Sequence, residues 1–96
     1  GQRLTQFDFL GFLPRETGER VDALHKLKKI TTPTIIMDTP YRLKKTLEQC
    51  REILPNKSFT LGMDLTKPNE QVFTGSIQQI LKQYNGSKRE FLLMIQ

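Results

Sequence analysis

The sequence predicts a single α/β domain with a mixed sheet of about five strands flanked by helices. Short apolar runs alternate along the chain with segments whose apolar residues recur every three or four positions, the pattern of strands alternating with helices. A tight turn at 67–70 joins two strand-like segments, so at least one strand pair must be antiparallel. At 96 residues, the chain has room for one core.

The first predicted elements are an extended segment, a helix and a buried strand. The extended segment covers 7–14 (FDFLGFLP) and is closed by a glycine and a proline. The helix covers 16–30, and its apolar face consists of Val21, Leu24, Leu27 and Ile30. The continuous apolar run 35–37 is typical of a strand buried on both faces.

A second helix is predicted directly after this strand. Thr39 is the expected N-cap, and Pro40 suits the first helical position because its missing N–H would be unpaired there. The core-facing stripe then consists of Leu43, Leu47, Cys50 and Leu54. A thiol on this stripe is predicted to be buried and structural rather than nucleophilic.

The second half of the chain is predicted to hold three strands and one helix. The strands cover 58–65 (SFTLGMDL), 71–75 (QVFTG) and 90–95 (EFLLMI), and the last is apolar enough to be central. Ser76 and Gln79 have the spacing of a capping box at the start of the helix. The helix stripe consists of Ile77, Ile80, Leu81 and Tyr84.

Composition narrows the class of partner without fixing it. The chain carries 15 Lys and Arg against 10 Asp and Glu, a net charge of +5, which indicates either an anionic partner such as nucleic acid or simply a basic solvated surface. No apolar run approaches the ~20 residues of a membrane span. One cysteine excludes an internal disulfide and agrees with a cytoplasmic setting, and one cysteine with one histidine cannot build a structural zinc site.

The residues that carry reactive chemistry are few. His25 lies off the apolar stripe of its helix and is predicted to be a surface residue. Asp38 and Asp64 each end a strand and could face one crevice, where paired carboxylates perform acid/base catalysis, although capping or hydrogen bonding to a ligand is favoured. The residues alone therefore indicate a binding half rather than a complete enzyme.

Four segments, taken in order, carry a family resemblance: 7–24 (FDFLGFLPRETGERVDAL), 34–48 (TIIMDTPYRLKKTLE), 64–77 (DLTKPNEQVFTGSI) and 88–95 (KREFLLMI). Together they resemble the C-terminal domain of the S-adenosylmethionine-dependent tetrapyrrole (corrin/porphyrin) methylase superfamily. Within it, the chain is most similar to the methyltransferases that 2′-O-methylate a cytidine of 16S ribosomal RNA.

The chain also departs from the pattern of those ribosomal RNA enzymes. Tyr41 stands where they usually have histidine, Met37 where they have tyrosine, and Arg89 where they have glycine. Asp38 and Asp64 both stand where they have glutamate. These departures indicate a divergent branch.

The resemblance implies that two α/β domains hold S-adenosylmethionine in a cleft between them. Residues 1–96 would then be one C-terminal domain of a longer protein, with the N-terminal domain absent and Gly1 in place of an initiating methionine. The implied cofactor-binding residues are Met37, Asp38, Leu65, Thr66, Glu90, Phe91 and Leu92. No catalytic residue is assigned to this domain, and we expect it to be inactive alone.

The resemblance also implies partners for the whole protein: its own N-terminal domain, a second copy in a homodimer, and ribosomal RNA or the small ribosomal subunit. The residues implied to contact RNA are Tyr41, Arg42, Lys44, Lys45, Arg15 and Arg20, although Arg42 could instead only pair with a carboxylate of its own domain. Two other functions remain open, a tetrapyrrole C-methyltransferase and a non-catalytic module that binds RNA or protein through its basic face.

Overall fold

The computed structural model describes residues 7–96, which form a five-stranded mixed sheet with helices. The strands are β1 (Asp8–Phe12), β2 (Thr34–Asp38), β3 (Ser58–Met63), β4 (Gln71–Ser76) and β5 (Phe91–Ile95). Their order in the sheet is β1-β2-β5-β3-β4. β1 is parallel to β2, and the other neighbours are antiparallel, including the predicted β3–β4 hairpin. The mixed sheet and the central position of β5 are thus confirmed.

The helices are α1 (Thr17–Lys26), α2 (Leu43–Ile53) and α3 (Ile77–Gln83). The predicted capping box is present at the start of α3, where the side chains of Ser76 and Gln79 each accept from the other's backbone N–H. α1 is shorter than predicted, because a 3₁₀ turn at Leu27–Lys29 replaces its last turn. Pro33 lies shortly beyond, and it disfavours a helical residue before it.

The start of α2 differs from the prediction in one respect. Pro40 does occupy the first position after Thr39, but it opens a 3₁₀ turn, Pro40–Arg42, that leads into α2. The hydroxyl of Thr39 makes no capping bond. Instead, the preceding carboxylate binds this backbone, since Oδ1 of Asp38 accepts the N–H of Thr39 at 2.7 Å.

The core lies between the three helices and one face of the sheet. The register of the strands brings their inward side chains to this face: Ile36, Phe59, Leu61, Met63, Phe91, Leu93 and Ile95. Leu43, Leu47, Cys50 and Leu54 form the predicted stripe and are buried against them. Burial raises the pKa of the Cys50 thiol to about 12, so its predicted role as a structural thiol agrees with the structure.

The opposite side of the sheet carries apolar side chains that no helix of the described chain covers. We call it the open face: Phe9, Phe12, Ile35, Met37, Val72, Leu92 and Met94. A bulge between Phe9 and Gly11 brings Phe9 beside Ile35 and Phe12 beside Met37. Both phenylalanines are more than half exposed. The prediction that β2 is buried on both faces is therefore wrong for residues 7–96.

Candidate functional site

A cavity of about 500 Å³ opens where β2 ends and β5 begins. This volume lies within the range of small-ligand sites. We call it the strand-end cavity, and six of the seven predicted cofactor residues line it: Met37, Asp38, Leu65, Glu90, Phe91 and Leu92. The antiparallel pairing of β2 with β5, which sets Met37 opposite Leu92 and Asp38 opposite Phe91, brings these distant segments together.

Four further residues line the strand-end cavity and were not predicted: Phe12, Thr39, Pro40 and Gly62. Phe12 reaches it through the parallel pairing of β1 with β2, which the sequence alone does not specify. Gly62 offered a signal, because glycine inside an apolar strand often marks a close approach. A Cβ on Gly62 would meet the side-chain carbons of Leu65 at 3.0–3.3 Å, so the glycine lets Leu65 lie close to the sheet.

The seventh predicted cofactor residue, Thr66, does not line this cavity. It lies exposed in the β3–β4 turn with a φ of 68°, and its N–H donates to Oε1 of Glu70 at 2.7 Å. Glu90, at the edge of the cavity, accepts a 2.8 Å bond from Nζ of Lys67. The turn therefore holds the rim of the cavity through Lys67, while Thr66 lies outside the lining.

The carboxylate of Asp38 is fully engaged within the domain. Oδ1 accepts a hydrogen bond from the N–H of Thr39 and a 2.8 Å bond from Nη1 of Arg42. Oδ2 accepts hydrogen bonds from Nη1 of Arg20 and Oγ1 of Thr46. Burial alone would raise the pKa of Asp38, but the bonds from Arg20, Thr39 and Arg42 outweigh it and lower the pKa below its ordinary value. Asp38 thus shapes the cavity wall rather than presenting a free acid to it.

Arg20 requires a correction to the sequence prediction. Its side chain is completely buried, and besides Asp38 it donates to Oγ1 of Thr46 at 2.9 Å and to Oε1 of Gln49 at 3.0 Å. No part of this guanidinium is accessible to an RNA phosphate in the structure. A buried carboxylate needs a counter-charge, and Arg20 supplies it. Its role in this domain is to hold Asp38.

A second cavity, of about 490 Å³, adjoins the first. We call it the Tyr41 cavity; it shares Phe12, Asp38 and Thr39 with the strand-end cavity and adds Leu13, Arg15, Tyr41 and Arg42. Three of the predicted RNA contacts, Arg15, Tyr41 and Arg42, therefore come together. Lys44 and Lys45 are exposed at the start of α2 and line neither cavity.

Asp64 belongs to neither cavity and is not paired with Asp38. Nε of Arg89 contacts Oδ2 of Asp64 at 2.6 Å, and Nδ2 of Asn69 donates to the same oxygen at 3.0 Å. The hydrogen bond from Arg89 lowers the pKa of Asp64. Arg89 also donates to Gln71 and to the carbonyl of Asn69, so this departure from the family pattern ties down the β3–β4 turn. The two strand-ending acids therefore have separate structural partners.

Two other kinds of site, metal clusters and membrane-spanning helices, are absent from residues 7–96. No cluster of three metal-ligating side chains occurs there. None of the helices in this part of the chain is long and apolar enough to cross a membrane. His25 is exposed on α1, as predicted.

Solved structures define the class of fold. The domain matches a crystal structure of the methyltransferase CobJ with a TM-score of 0.63 at 13% identity, covering 92% of this chain and 40% of that one. It matches the cobalt precorrin-4 methyltransferase CbiF with a TM-score of 0.61 at 15% identity, covering 96% of this chain and 41% of that one. The domain therefore has the fold of a part of these two methyltransferases.

Sequence relatives indicate the kind of protein more specifically than the fold does. Over 92 residues the chain is 33% identical to ribosomal RNA small subunit methyltransferase I of Halalkalibacterium halodurans and 34% identical to that of Bacillus subtilis. Each match covers 94% of this chain but only 32% of the relative, so the chain spans about a third of these proteins' length. No protein-family profile matches it. The resemblance predicted from the sequence is confirmed: the chain is similar over most of its length to about a third of ribosomal RNA small subunit methyltransferase I, and it shares its fold with part of the methyltransferases CobJ and CbiF.

Proposed function

We propose that this chain is the cofactor-cleft domain of an S-adenosylmethionine-dependent methyltransferase that acts on a ribose 2′-hydroxyl of ribosomal RNA. The observation that carries the proposal is the strand-end cavity, which gathers six of the residues predicted to bind the cofactor. The names of the sequence relatives support ribosomal RNA as the acceptor.

The strand-end cavity fits the adenosine part of the donor in size and in character. Its lining is mostly apolar, and its volume of about 500 Å³ suits a ligand of this size. Met37, Leu65 and Leu92 would pack against the adenine and ribose and exclude water. The bound donor would supply a methyl group on a sulfonium. This domain contributes by holding the donor in line with its acceptor, since methyl transfer depends mainly on alignment.

A second domain of a longer protein is part of the proposal. The open face is a contiguous apolar surface, which usually marks an interaction site, and the strand-end cavity lies at one end of it. The relatives are about three times as long as this chain. An N-terminal domain would cover the open face and complete the cleft, and the 96-residue chain alone would transfer no methyl group. Homodimer formation and a cytoplasmic location are included on the basis of the family resemblance.

A tetrapyrrole acceptor is the second candidate, because one structural neighbour, CbiF, is a cobalt precorrin-4 methyltransferase by name. At 13% and 15% identity, the two structural neighbours support the fold alone. The sequence relatives, at 33% and 34%, are ribosomal RNA enzymes. The net charge of +5 also favours a polyanion. RNA is therefore the acceptor that we propose.

Equilibrium binding of labelled S-adenosylmethionine to the full-length protein tests the role of the strand-end cavity. Leu92 and Met94 lie on the same face of β5 and are both half-buried, but only Leu92 lines the cavity. We expect Leu92→Gln to weaken binding about tenfold, because the amide would lose its hydrogen bonds to water under the adenosine. Met94→Gln is the matched control, and its dissociation constant should stay within about twofold of wild type.

Two results would contradict this proposal. Full-length protein that binds no donor would exclude a methyltransferase function. Equal weakening by Leu92→Gln and Met94→Gln would mean that the open face, and not the strand-end cavity, is responsible for the loss.

A further inference from the structure

The Tyr41 cavity differs in chemistry from its neighbour. Both cavities are mostly apolar, but the charged side chains that line the strand-end cavity are both acidic, Asp38 and Glu90, whereas the Tyr41 cavity combines an exposed aromatic ring with two arginines, Arg15 and Arg42. The wall between the two cavities is formed by Phe12, Asp38 and Thr39, which line both. A ligand in one cavity would therefore lie directly beside a ligand in the other.

The aromatic ring of Tyr41 is held out into solvent. Tyr41 is 79% exposed, although a ring of this size is normally buried, and it does not belong to the open face that a second domain would cover. Nζ of Lys88 lies over the ring of Tyr41, 5.1 Å from its centroid. Tyr41 is the middle residue of the 3₁₀ turn, which is closed by a 2.9 Å bond from the N–H of Arg42 to the carbonyl of Thr39. The ring therefore projects from a fixed turn.

The cavity also has positive charge that its own carboxylate does not cancel. Asp38 is neutralised by Arg20 and Arg42 together. Within residues 7–96, the side-chain hydrogen bonds of Arg42 all run through Nη1, so Nε and Nη2 remain for a ligand. Arg15 is exposed at the mouth of the cavity. These guanidinium groups suit a phosphate, which they bind by paired hydrogen bonds.

We propose that the Tyr41 cavity binds one unstacked nucleotide of single-stranded RNA, with its base against Tyr41 and a flanking phosphate on Arg15 and Arg42. Single-stranded RNA is recognised by stacking of splayed bases on aromatic and guanidinium planes. A duplex keeps its bases stacked inside and cannot offer one to a cavity. This inference rests on the proposed function, since the nucleotide beside the donor would be the acceptor or its neighbour.

Binding of a short fluorescent single-stranded oligoribonucleotide to the full-length protein, in the presence of S-adenosylmethionine, tests the proposal. Tyr41→Leu keeps an apolar side chain but removes the ring, and we expect about tenfold weaker RNA binding, within the range for loss of one stacked base. Tyr41→Phe keeps the ring and should bind RNA within about twofold of wild type. Lys82→Gln, on the exposed side of α3, is the control for a general charge effect.

Arg15→Gln should weaken RNA binding and also reduce its dependence on salt, because one phosphate contact is lost. Binding of S-adenosylmethionine should be unchanged in the Tyr41 variants. This control shows that the variants are folded, and it distinguishes a failure of the nucleotide site from a failure of the proposed donor site. Two results would overturn the nucleotide site while leaving the donor site intact: equal RNA binding by Tyr41→Leu and Tyr41→Phe, or binding of a duplex of the same sequence as tightly as the single strand.

Discussion

The two faces of the sheet are similar in sequence character but differ in what covers them. Along β5, Phe91, Leu93 and Ile95 point into the helices and are buried, while Leu92 and Met94 point to the open face and are only half-buried. All five are apolar, so hydrophobicity alone does not separate them. The covered face is completed by this chain's own helices. The open face carries the same kind of apolar side chain, but no helix of residues 7–96 covers it. Phe12, at one end of the open face, lines both cavities.

The largest expected effect comes from breaking the covered face at Asp38. Asp38→Ala leaves Arg20 buried without its counter-charge, and removal of one partner of a buried ion pair costs about 3–5 kcal/mol. Urea denaturation of the 96-residue chain, followed by far-UV circular dichroism, measures the change in the free energy of unfolding. Asp22→Ala, at an exposed position on α1, is the control and should change it by less than about 0.5 kcal/mol. If Asp38→Ala lowers the free energy of unfolding as little as the control does, the ion pair between Arg20 and Asp38 does not stabilise the domain.

The pH dependence of stability sharpens this test. The folded-state pKa of Asp38 is lower than the ordinary value of 3.8, so its contribution to stability is fully present above that value and is lost as the pH falls through the folded pKa. The acid loss of stability should therefore be shallower in Asp38→Asn than in the wild type. Identical acid dependence in the two proteins would contradict the assignment.

The next effect compares the two faces directly, at adjacent leucines of β5. Leu93→Ala opens a cavity in the core and should cost about 2–5 kcal/mol. Leu92→Ala removes the same atoms from the open face and should cost about 1 kcal/mol or less in the 96-residue chain. Urea denaturation of both variants measures the difference. Equal losses would show that the open face is already packed within this chain.

Local patterns predicted most of the fold because the residues that determine it are close in sequence. The stripe on α2 and the capping box at Ser76 depend on contacts three to eleven positions apart, and both are present. The open face was not predicted, since a continuous apolar run such as 35–37 looks the same whether one side or both sides of a strand are covered.

The site was predicted less completely, because its contacts depend on segments that meet only after folding. Arg20 lies 18 positions before Asp38; its spacing from Leu24 and Leu27 places it on the buried side of its helix, but the sequence does not show which carboxylate it meets. Phe12 enters both cavities through a parallel pairing that the sequence does not reveal. The predicted cofactor residues that line the strand-end cavity came from the family resemblance, whereas Thr66, carried over in the same way, lies outside the lining.

The chemical fate of the methyl group tests the central claim most directly. Full-length protein would be incubated with methyl-labelled S-adenosylmethionine and either small ribosomal subunits or a precorrin. A 2′-O-methyl group blocks alkaline cleavage of the adjoining phosphodiester. We predict label in ribosomal RNA, in a dinucleotide that resists alkali, and none in the precorrin. Label in the precorrin, or in alkali-sensitive nucleotides of the RNA, would contradict a ribose methyltransferase.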